Sequence, residues 1–104
     1  MALTLRIENE TRLPTGGPLS FRLTGQRGAD IGRAPHLDWS LPDSDLFISG
    51  KHCEIRWQDG GYVLFDVSRN GTFLYGNDRR LNGPHRLAHG DRLLIGNYII
   101  AVEI

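Results

Sequence analysis

Apolar and polar residues alternate in short segments along most of the chain, which is the pattern of β-strands with one buried face. Near the N-terminus, Leu3, Leu5 and Ile7 alternate with polar neighbours over residues 2–8. Similar strand-like segments follow at residues 20–24, 28–32, 53–58, 62–66, 72–75, 92–95 and 98–104. No segment sustains the helical period of about 3.6 residues with caps at both ends. The pattern therefore predicts an all-β chain.

Turn-forming residues separate these segments, and the chain contains 13 glycines and 5 prolines. Because glycine and proline end strands and form turns, neighbouring segments are expected to pair through short connections. The sequence thus predicts an antiparallel β-sandwich of about ten to eleven short strands with functional loops at one end. Residues 34–47 hold Pro35, Pro42 and three aspartates. We expect this stretch to be a long surface loop.

Asn70-Gly71 lies between two strand-like segments, residues 62–66 and 72–75. Because both residue types tolerate positive φ, the dipeptide predicts a tight hairpin with Asn70 at a sheet edge. A side-chain amide in that place suits pairing with another chain's backbone. Further turns are predicted at residues 76–78 and 82–84, and Gly96-Asn97 is predicted to join the last two strands.

Length and composition restrict the possible functions. The chain has 104 residues, which is room for one domain, predicted to span residues 1–104. Its 12 basic and 12 acidic residues balance, whereas nucleic-acid binders usually carry a basic excess. No apolar run approaches the roughly 18 residues of a membrane span, and the N-terminus lacks a secretory signal pattern. The lone Cys53 is interpreted as a small core residue. A single cysteine fits a reducing compartment and also a secreted domain without disulfides, and we expect a cytoplasmic location.

Catalysis is disfavoured by the distribution of reactive side chains. A nucleophile at Ser49 or Cys53 needs a positioned base, and His52 should face the opposite side of the strand from Cys53. Gly50-Lys51-His52 lacks the residues that flank a phosphate-binding loop. The other histidines have no metal-ligand spacing and are interpreted as surface residues: His36, His85 and His89. We therefore expect no enzyme activity, metal or cofactor.

Three short motifs remain, Gly32-Arg33, Ser49-Gly-Lys-His52 and Ser68-Arg-Asn-Gly-Thr72. A guanidinium, a hydroxyl and backbone N–H groups are suited to a phosphate dianion, and an Asn amide is suited to a peptide backbone. In this order, and followed by Leu87-Ala-His-Gly-Asp91, the motifs resemble the forkhead-associated (FHA) domain over nearly the whole chain. That family implies a β-sandwich that binds phosphothreonine peptides.

The resemblance assigns a role to each motif residue. Arg33 is expected to bind phosphate oxygens, Ser49 to donate its hydroxyl to the same group, and Asn70 to hold the ligand's main chain. His52 is expected to form hydrogen bonds inside the site, behind the ligand-binding residues, and so to fix the loop that carries Ser49. Residues expected to support the backbone of the site are Gly32, Gly71 and Thr72. Further candidate ligand contacts are the Gly50 N–H and the cations of Arg69 and Lys51, for which solvated surface positions are the alternative.

A narrower resemblance to the FHA domains of bacterial type VI secretion proteins rests on Trp39-Ser-Leu-Pro-Asp43, Leu3-Thr-Leu-Arg-Ile-Glu-Asn9 and Gly96-Asn-Tyr-Ile-Ile100. It implies a recruitment module linked to a Ser/Thr kinase, and one domain of a longer protein. The alternative is a structural adaptor that docks or self-associates without phosphate. The intact set of Arg33, Ser49 and Asn70 favours phosphopeptide binding, because a simple adaptor needs no dianion pocket.

Overall fold

The structure is a computed structural model that describes residues 1–76 and 79–104. These residues form 11 β-strands. In chain order the strands are β1 Ala2–Ile7, β2 Ser20–Thr24, β3 Ala29–Gly32, β4 Trp39–Ser40, β5 Cys53–Gln58, β6 Gly61–Asp66, β7 Thr72–Leu74, β8 Arg79–Arg80, β9 His85–Arg86, β10 Arg92–Ile95 and β11 Tyr98–Glu103. No helix in this part of the chain has the length and apolar character of a membrane span.

The strands form two sheets that pack as a sandwich. One sheet has six strands in the order β2-β1-β11-β10-β7-β8, and the other has five in the order β4-β3-β5-β6-β9. Inward-facing residues of both sheets form one core, in which Leu3, Ile55, Leu64 and Ile100 have no exposed surface. The predicted fold class is confirmed. One pairing differs from the antiparallel expectation, since β3 and β4 run parallel.

The segment 34–47 is not simply a surface loop, so that prediction was wrong in part. Trp39 is 1% exposed and Leu41 is fully buried. The Trp39 ring stacks on Phe21 with centroids 5.9 Å apart, and its Nε1–H donates to the Pro18 carbonyl at 3.2 Å. The prolines and aspartates in the segment concealed these two residues, whose burial closes the sandwich beside β3.

The predicted hairpin at Asn70-Gly71 is also wrong. β6 belongs to the five-stranded sheet and β7 to the six-stranded sheet, so the connection crosses from one sheet to the other. Gly71 has a φ of +105°, but Asn70 has a negative φ. The dipeptide thus predicted the positive φ of Gly71, but it predicted neither the φ of Asn70 nor the partner of the next strand.

Two other predicted turns have different outcomes. Gly96-Asn97 joins β10 to β11 as expected, with Ile95 paired to Tyr98. The turn expected at residues 76–78 includes Asn77 and Asp78, which lie outside the described residues.

Candidate functional site

The three sequence motifs meet at one end of the five-stranded sheet. β3, β5 and β6 are neighbours, and each runs antiparallel to the next. Ile31 pairs with Cys53, and Cys53 pairs with Asp66. The end of β3, the start of β5 and the end of β6 therefore lie at the same end of the sheet. This topology places the loops that carry Arg33, Ser49 and Asn70 side by side.

Gly32 permits the close approach of the first two loops. A Cβ atom added at Gly32 would lie 2.4 Å from the Gly50 carbonyl oxygen and 2.8 Å from the His52 nitrogen. Just beyond this contact, the Arg33 N–H donates to the Ser49 carbonyl at 3.0 Å. Any larger residue at position 32 would push these backbones apart. The requirement for glycine here is therefore steric, since no positive φ is involved.

Arg33 is half-buried, and one of its side-chain donors is already used. Its Nε–H donates to the Ile48 carbonyl at 3.0 Å, which fixes the direction of the guanidinium group. The two terminal nitrogens have no hydrogen-bond or ion-pair partner among the described residues. They are the free donors of a planar fork, a geometry that matches two oxygens of one phosphate group.

Ser49 connects the second loop to the third. Its hydroxyl oxygen accepts a hydrogen bond from the Arg69 N–H at 3.0 Å, and its own N–H donates to His52 Nδ1 at 3.1 Å. The hydroxyl hydrogen has no acceptor among the described residues. Ser49 can therefore donate to an external oxygen while its oxygen atom stays anchored to the neighbouring loop.

His52 is fully buried and lies behind Ser49. Because Nδ1 accepts from the Ser49 N–H, the proton resides on Nε2, which donates to the Gly71 carbonyl at 2.9 Å. Burial lowers the pKa of His52, although the Gly71 carbonyl and Asp66 act in the opposite direction. One neutral imidazole thus joins the loop of Ser49 to the loop of Asn70.

Asn70 is exposed at the tip of the third loop. Its Nδ2 donates to the Phe47 carbonyl at 3.1 Å, and its side-chain oxygen has no partner in the described part of the chain. The adjacent Gly71 adopts positive φ, and a Cβ added there would lie 2.9 Å from the Phe73 ring. The amide is therefore held in place with a free acceptor, which suits a backbone N–H of a bound peptide.

A polar network fixes the third loop, and three of its members were not predicted as site residues: Asp66, Ser68 and Arg80. Asp66 Oδ1 accepts from the Ser68 hydroxyl, from the Ser68 N–H at 3.0 Å and from the Thr72 hydroxyl at 3.1 Å. Asp66 Oδ2 accepts from Arg80 Nε at 3.2 Å. Burial raises the pKa of Asp66, but these hydrogen bonds together lower it.

Part of this network was detectable from the sequence. An Asp two residues before a Ser is a local turn pattern, and it indicates the Asp66–Ser68 contact. Thr72, which was expected to support the site, is fully buried and contributes through Asp66. Arg80 comes from β8, and no local pattern connects it to Asp66.

Three further candidates differ in their surroundings. Lys51 forms ion pairs with Asp30 at 3.6 Å and with Glu54, and the contact with Glu54 raises the pKa of Lys51. Its charge is therefore compensated, which favours the surface alternative for this residue. Arg69 is exposed, and its guanidinium has no partner among the described residues. A Cβ at Gly50 would meet nothing within 4 Å, so open space borders its backbone.

A mainly apolar hollow of about 200 Å³ adjoins Asn70. It is lined by Phe47, Asn70, Gly71, Phe73, Gly96 and Asn97. Within the described residues, no group of three or more His, Cys, Asp or Glu side chains is arranged to hold a metal ion. The site therefore offers hydrogen-bond donors beside an apolar recess, an arrangement that suits a phosphorylated side chain with a methyl group.

Comparison with known proteins identifies similar chains. The family model for the FHA domain matches residues 29–96. The chain is 36% identical over 67 residues to Serine/threonine-protein kinase RAD53 of Saccharomyces cerevisiae, covering 64% of this chain and 8% of that protein. It is 34% identical over 98 residues to Glycogen accumulation regulator GarA of Mycolicibacterium smegmatis, covering 83% of this chain and 58% of that protein. The chain thus spans less than two thirds of either relative.

A solved structure matches the whole fold. It comes from a structural and functional study of phosphothreonine-dependent FHA domain interactions. The two chains are 28% identical with a TM-score of 0.77, and the match covers 100% of this chain and 97% of the other.

Proposed function

The chain belongs to the FHA domain family, and from this premise we propose that it binds phosphothreonine-containing proteins through the loops of Arg33, Ser49 and Asn70. An FHA domain is a protein-interaction module and not a catalytic unit, and its homologues include phosphothreonine-dependent modules. The binding module proposed here is the whole of residues 1–104.

One observation carries the proposal: the unused donors of Arg33 and Ser49 lie on adjacent loops that are already joined to each other. The Arg33 N–H bonds to the Ser49 carbonyl, and both side chains are fixed by a second hydrogen bond. A ligand oxygen would therefore meet donors that need little further ordering. Such preorganisation reduces the entropic cost of binding.

Asn70 would act on the ligand's backbone while the other two residues hold the phosphate. Its amide nitrogen donates one N–H to the Phe47 carbonyl, and the free side-chain oxygen would accept a main-chain N–H of the ligand. The buried His52 would not touch the ligand. It would keep the loops of Ser49 and Asn70 at a fixed separation through its two ring nitrogens.

The experiment compares two oriented peptide libraries that differ only in phosphorylation of one fixed threonine. We expect retention of the phosphorylated library and no retention of its unphosphorylated counterpart. Individual peptides from the retained pool would then be measured by titration calorimetry. Equal retention of both libraries would overturn the proposal and favour the phosphate-independent adaptor or self-association domain.

We also propose a cellular context for the module. The resemblance of residues 39–43 and 96–100 to type VI secretion FHA proteins supports a cytoplasmic role in regulating such a machine. The partner would be phosphorylated by a Ser/Thr kinase, and the module would be part of a longer protein. Replacing Arg33 by Ala in the chromosomal gene should then impair secretion without lowering the protein's abundance. Unchanged secretion would argue against this context while leaving peptide binding intact.

A further inference from the structure

An apolar strip crosses the outer face of the six-stranded sheet. Thr72, Leu93 and Ile100 are fully buried, so the residues that alternate with them point away from the core. Among these outward residues, Leu94 pairs with Phe73 on β7 and with Ile99 on β11. We call the row Phe73, Leu94 and Ile99 the outer strip. All three of its members are half-buried.

Charged side chains near the outer strip already have partners. Arg92 pairs with Glu8 at 2.8 Å, and Arg80 pairs with Asp66 at 3.2 Å. In the next rows of the face, Arg6 pairs with Glu103 at 2.8 Å. These ion pairs leave little uncompensated charge with which to recruit a charged partner. Binding on the outer strip itself would therefore gain mainly from burying apolar surface, which requires an apolar partner.

The outer strip is continuous with the proposed phosphopeptide site. Phe73 is its first member and also lines the hollow beside Asn70. Phe47, which is 53% exposed, also lines the hollow. Paired strands lie about 4.8 Å apart, so the row from Phe73 to Ile99 extends about 10 Å. An extended peptide covers that distance with about three residues.

We propose that the outer strip is a second contact surface for the phosphorylated partner, occupied by an apolar segment that flanks the phosphothreonine. This proposal rests on the proposed function, because the phosphate site determines where the segment begins. Recognition then has two parts. The donors of Arg33 and Ser49 bind the phosphate, and the outer strip contacts neighbouring apolar side chains of the partner without any charged interaction.

The test uses the phosphothreonine library with four randomised positions on each side of the fixed residue. We expect apolar residues to be enriched on one side only, and the most enriched sequence becomes the test peptide. Leu94→Gln should lower its affinity about tenfold, the scale expected when one apolar contact is lost. The same variant should lose the preference for apolar residues. Ile99→Thr, which keeps the β-branched shape, should show a smaller loss in the same direction.

A matched control is Phe65→Gln. Phe65 is half-buried and pairs with Glu54 on the outer face of the other sheet. The Phe65→Gln variant should bind the test peptide with the same affinity as the unsubstituted chain. The melting temperatures of all variants establish that they are folded. Amide shifts of Leu94 and Ile99 on peptide addition, with none at Phe65, would place the segment directly on the outer strip.

Different failures have different meanings. If neither library is retained, the proposed function itself fails. If the phosphorylated library is retained without apolar enrichment, or folded Leu94→Gln keeps full affinity and preference, only the outer-strip proposal is overturned. A dimer in the absence of peptide that Leu94→Gln dissociates would also overturn it, because the occupant would then be a second copy of the chain.

Discussion

The hydroxyl oxygen of Ser49 accepts a hydrogen bond from the backbone N–H of Arg69 at 3.0 Å. This bond joins the loop before β5 to the loop after β6, and it determines which part of the hydroxyl remains available. The hydroxyl oxygen already accepts a hydrogen bond within the protein, while the hydroxyl hydrogen can be donated to a ligand. A single side-chain atom thus serves both the arrangement of the loops and the proposed contact with phosphate.

Ser49→Ala should remove both of these functions at once. The lost contact with a charged phosphate is worth about 1.5 to 3 kcal/mol, so affinity should fall at least about tenfold. The lost inter-loop hydrogen bond should lower the free energy of unfolding by only about 1 kcal/mol, since water can reach the exposed Arg69 N–H. Calorimetry and urea unfolding measure the two effects. Ser44→Ala, in an exposed part of the preceding loop, should change neither.

Arg33→Ala should weaken phosphopeptide binding at least about tenfold, because a charge-assisted contact is lost and the phosphate is left partly unpaired. Arg33→Lys should retain part of the affinity, since it keeps the charge without the planar fork. Arg22→Ala removes an exposed cation from β2 and serves as the control. A folded Arg33→Ala variant with unchanged affinity would contradict the assignment of the phosphate pocket.

Substitution by alanine should destabilise the protein at one glycine of the site and have almost no effect at another. At Gly32 the new Cβ would lie 2.4 Å from a backbone oxygen, which no side-chain rotation can relieve. We expect Gly32→Ala to lower the free energy of unfolding by at least about 2 kcal/mol. At Gly50 the new Cβ would lie in open space, and the residue has a negative φ that alanine can adopt. Gly50→Ala should therefore change the free energy of unfolding by less than about 0.5 kcal/mol. Similar effects at both positions would contradict the close approach of the loops.

His52 should make the stability of the free protein depend on pH. Burial lowers its pKa below the ordinary value of 6.5, so the unfolded chain binds a proton at pH values where the folded chain does not. Stability should be full above about pH 6.5 and should decline as the pH falls toward the lowered native pKa. Urea unfolding between about pH 7 and pH 5 measures this slope, and His52→Gln should flatten it.

The control variant is His36→Gln, which replaces an exposed histidine by the same residue. His52→Ala should reduce the melting temperature and the peptide affinity together, because Ser49 and Gly71 lose their common partner. A loss of affinity at constant melting temperature would show that His52 contacts the ligand directly.

Phosphothreonine should bind more tightly than phosphoserine in an otherwise identical peptide. The hollow of Phe47, Gly71 and Phe73 adjoins Asn70, and the ligand's γ-methyl group can enter it. A methyl group is worth about 0.8 kcal/mol by area and about 1 to 3 kcal/mol in a fitted recess, which corresponds to roughly 4- to 150-fold in affinity. Titrations of the two peptides at neutral pH measure the ratio.

Peptides with aspartate or glutamate in place of the phosphothreonine should bind very weakly. A single planar carboxylate provides too little charge and too few oxygens for Arg33 and Ser49 together. Equal affinity for phosphoserine and phosphothreonine would mean that only the phosphate is recognised, and that the apolar hollow takes no part in the choice.

Much of the candidate site could be proposed from the sequence, because its residue types and their order are visible there. Arg33, Ser49 and Asn70 were selected from residue chemistry together with a family resemblance. The structure places them on adjacent loops because β3, β5 and β6 pair in register. The partners of Lys51 could not be predicted in this way. Its ion pairs with Asp30 and Glu54 depend on how β3 and the start of β5 are aligned across the sheet.

By itself, the sequence determined the strands of three or more residues, the glycine with positive φ at position 71 and the residue types of the proposed phosphate site. These properties depend on the alternation of neighbouring side chains and on local backbone sterics. Only the tertiary structure decided that β7 joins the sheet opposite β6, that Trp39 enters the core and that Arg80 reaches Asp66. Pairings between distant segments depend on which arrangement buries the most apolar surface and satisfies the buried polar groups, and no local pattern carries that information.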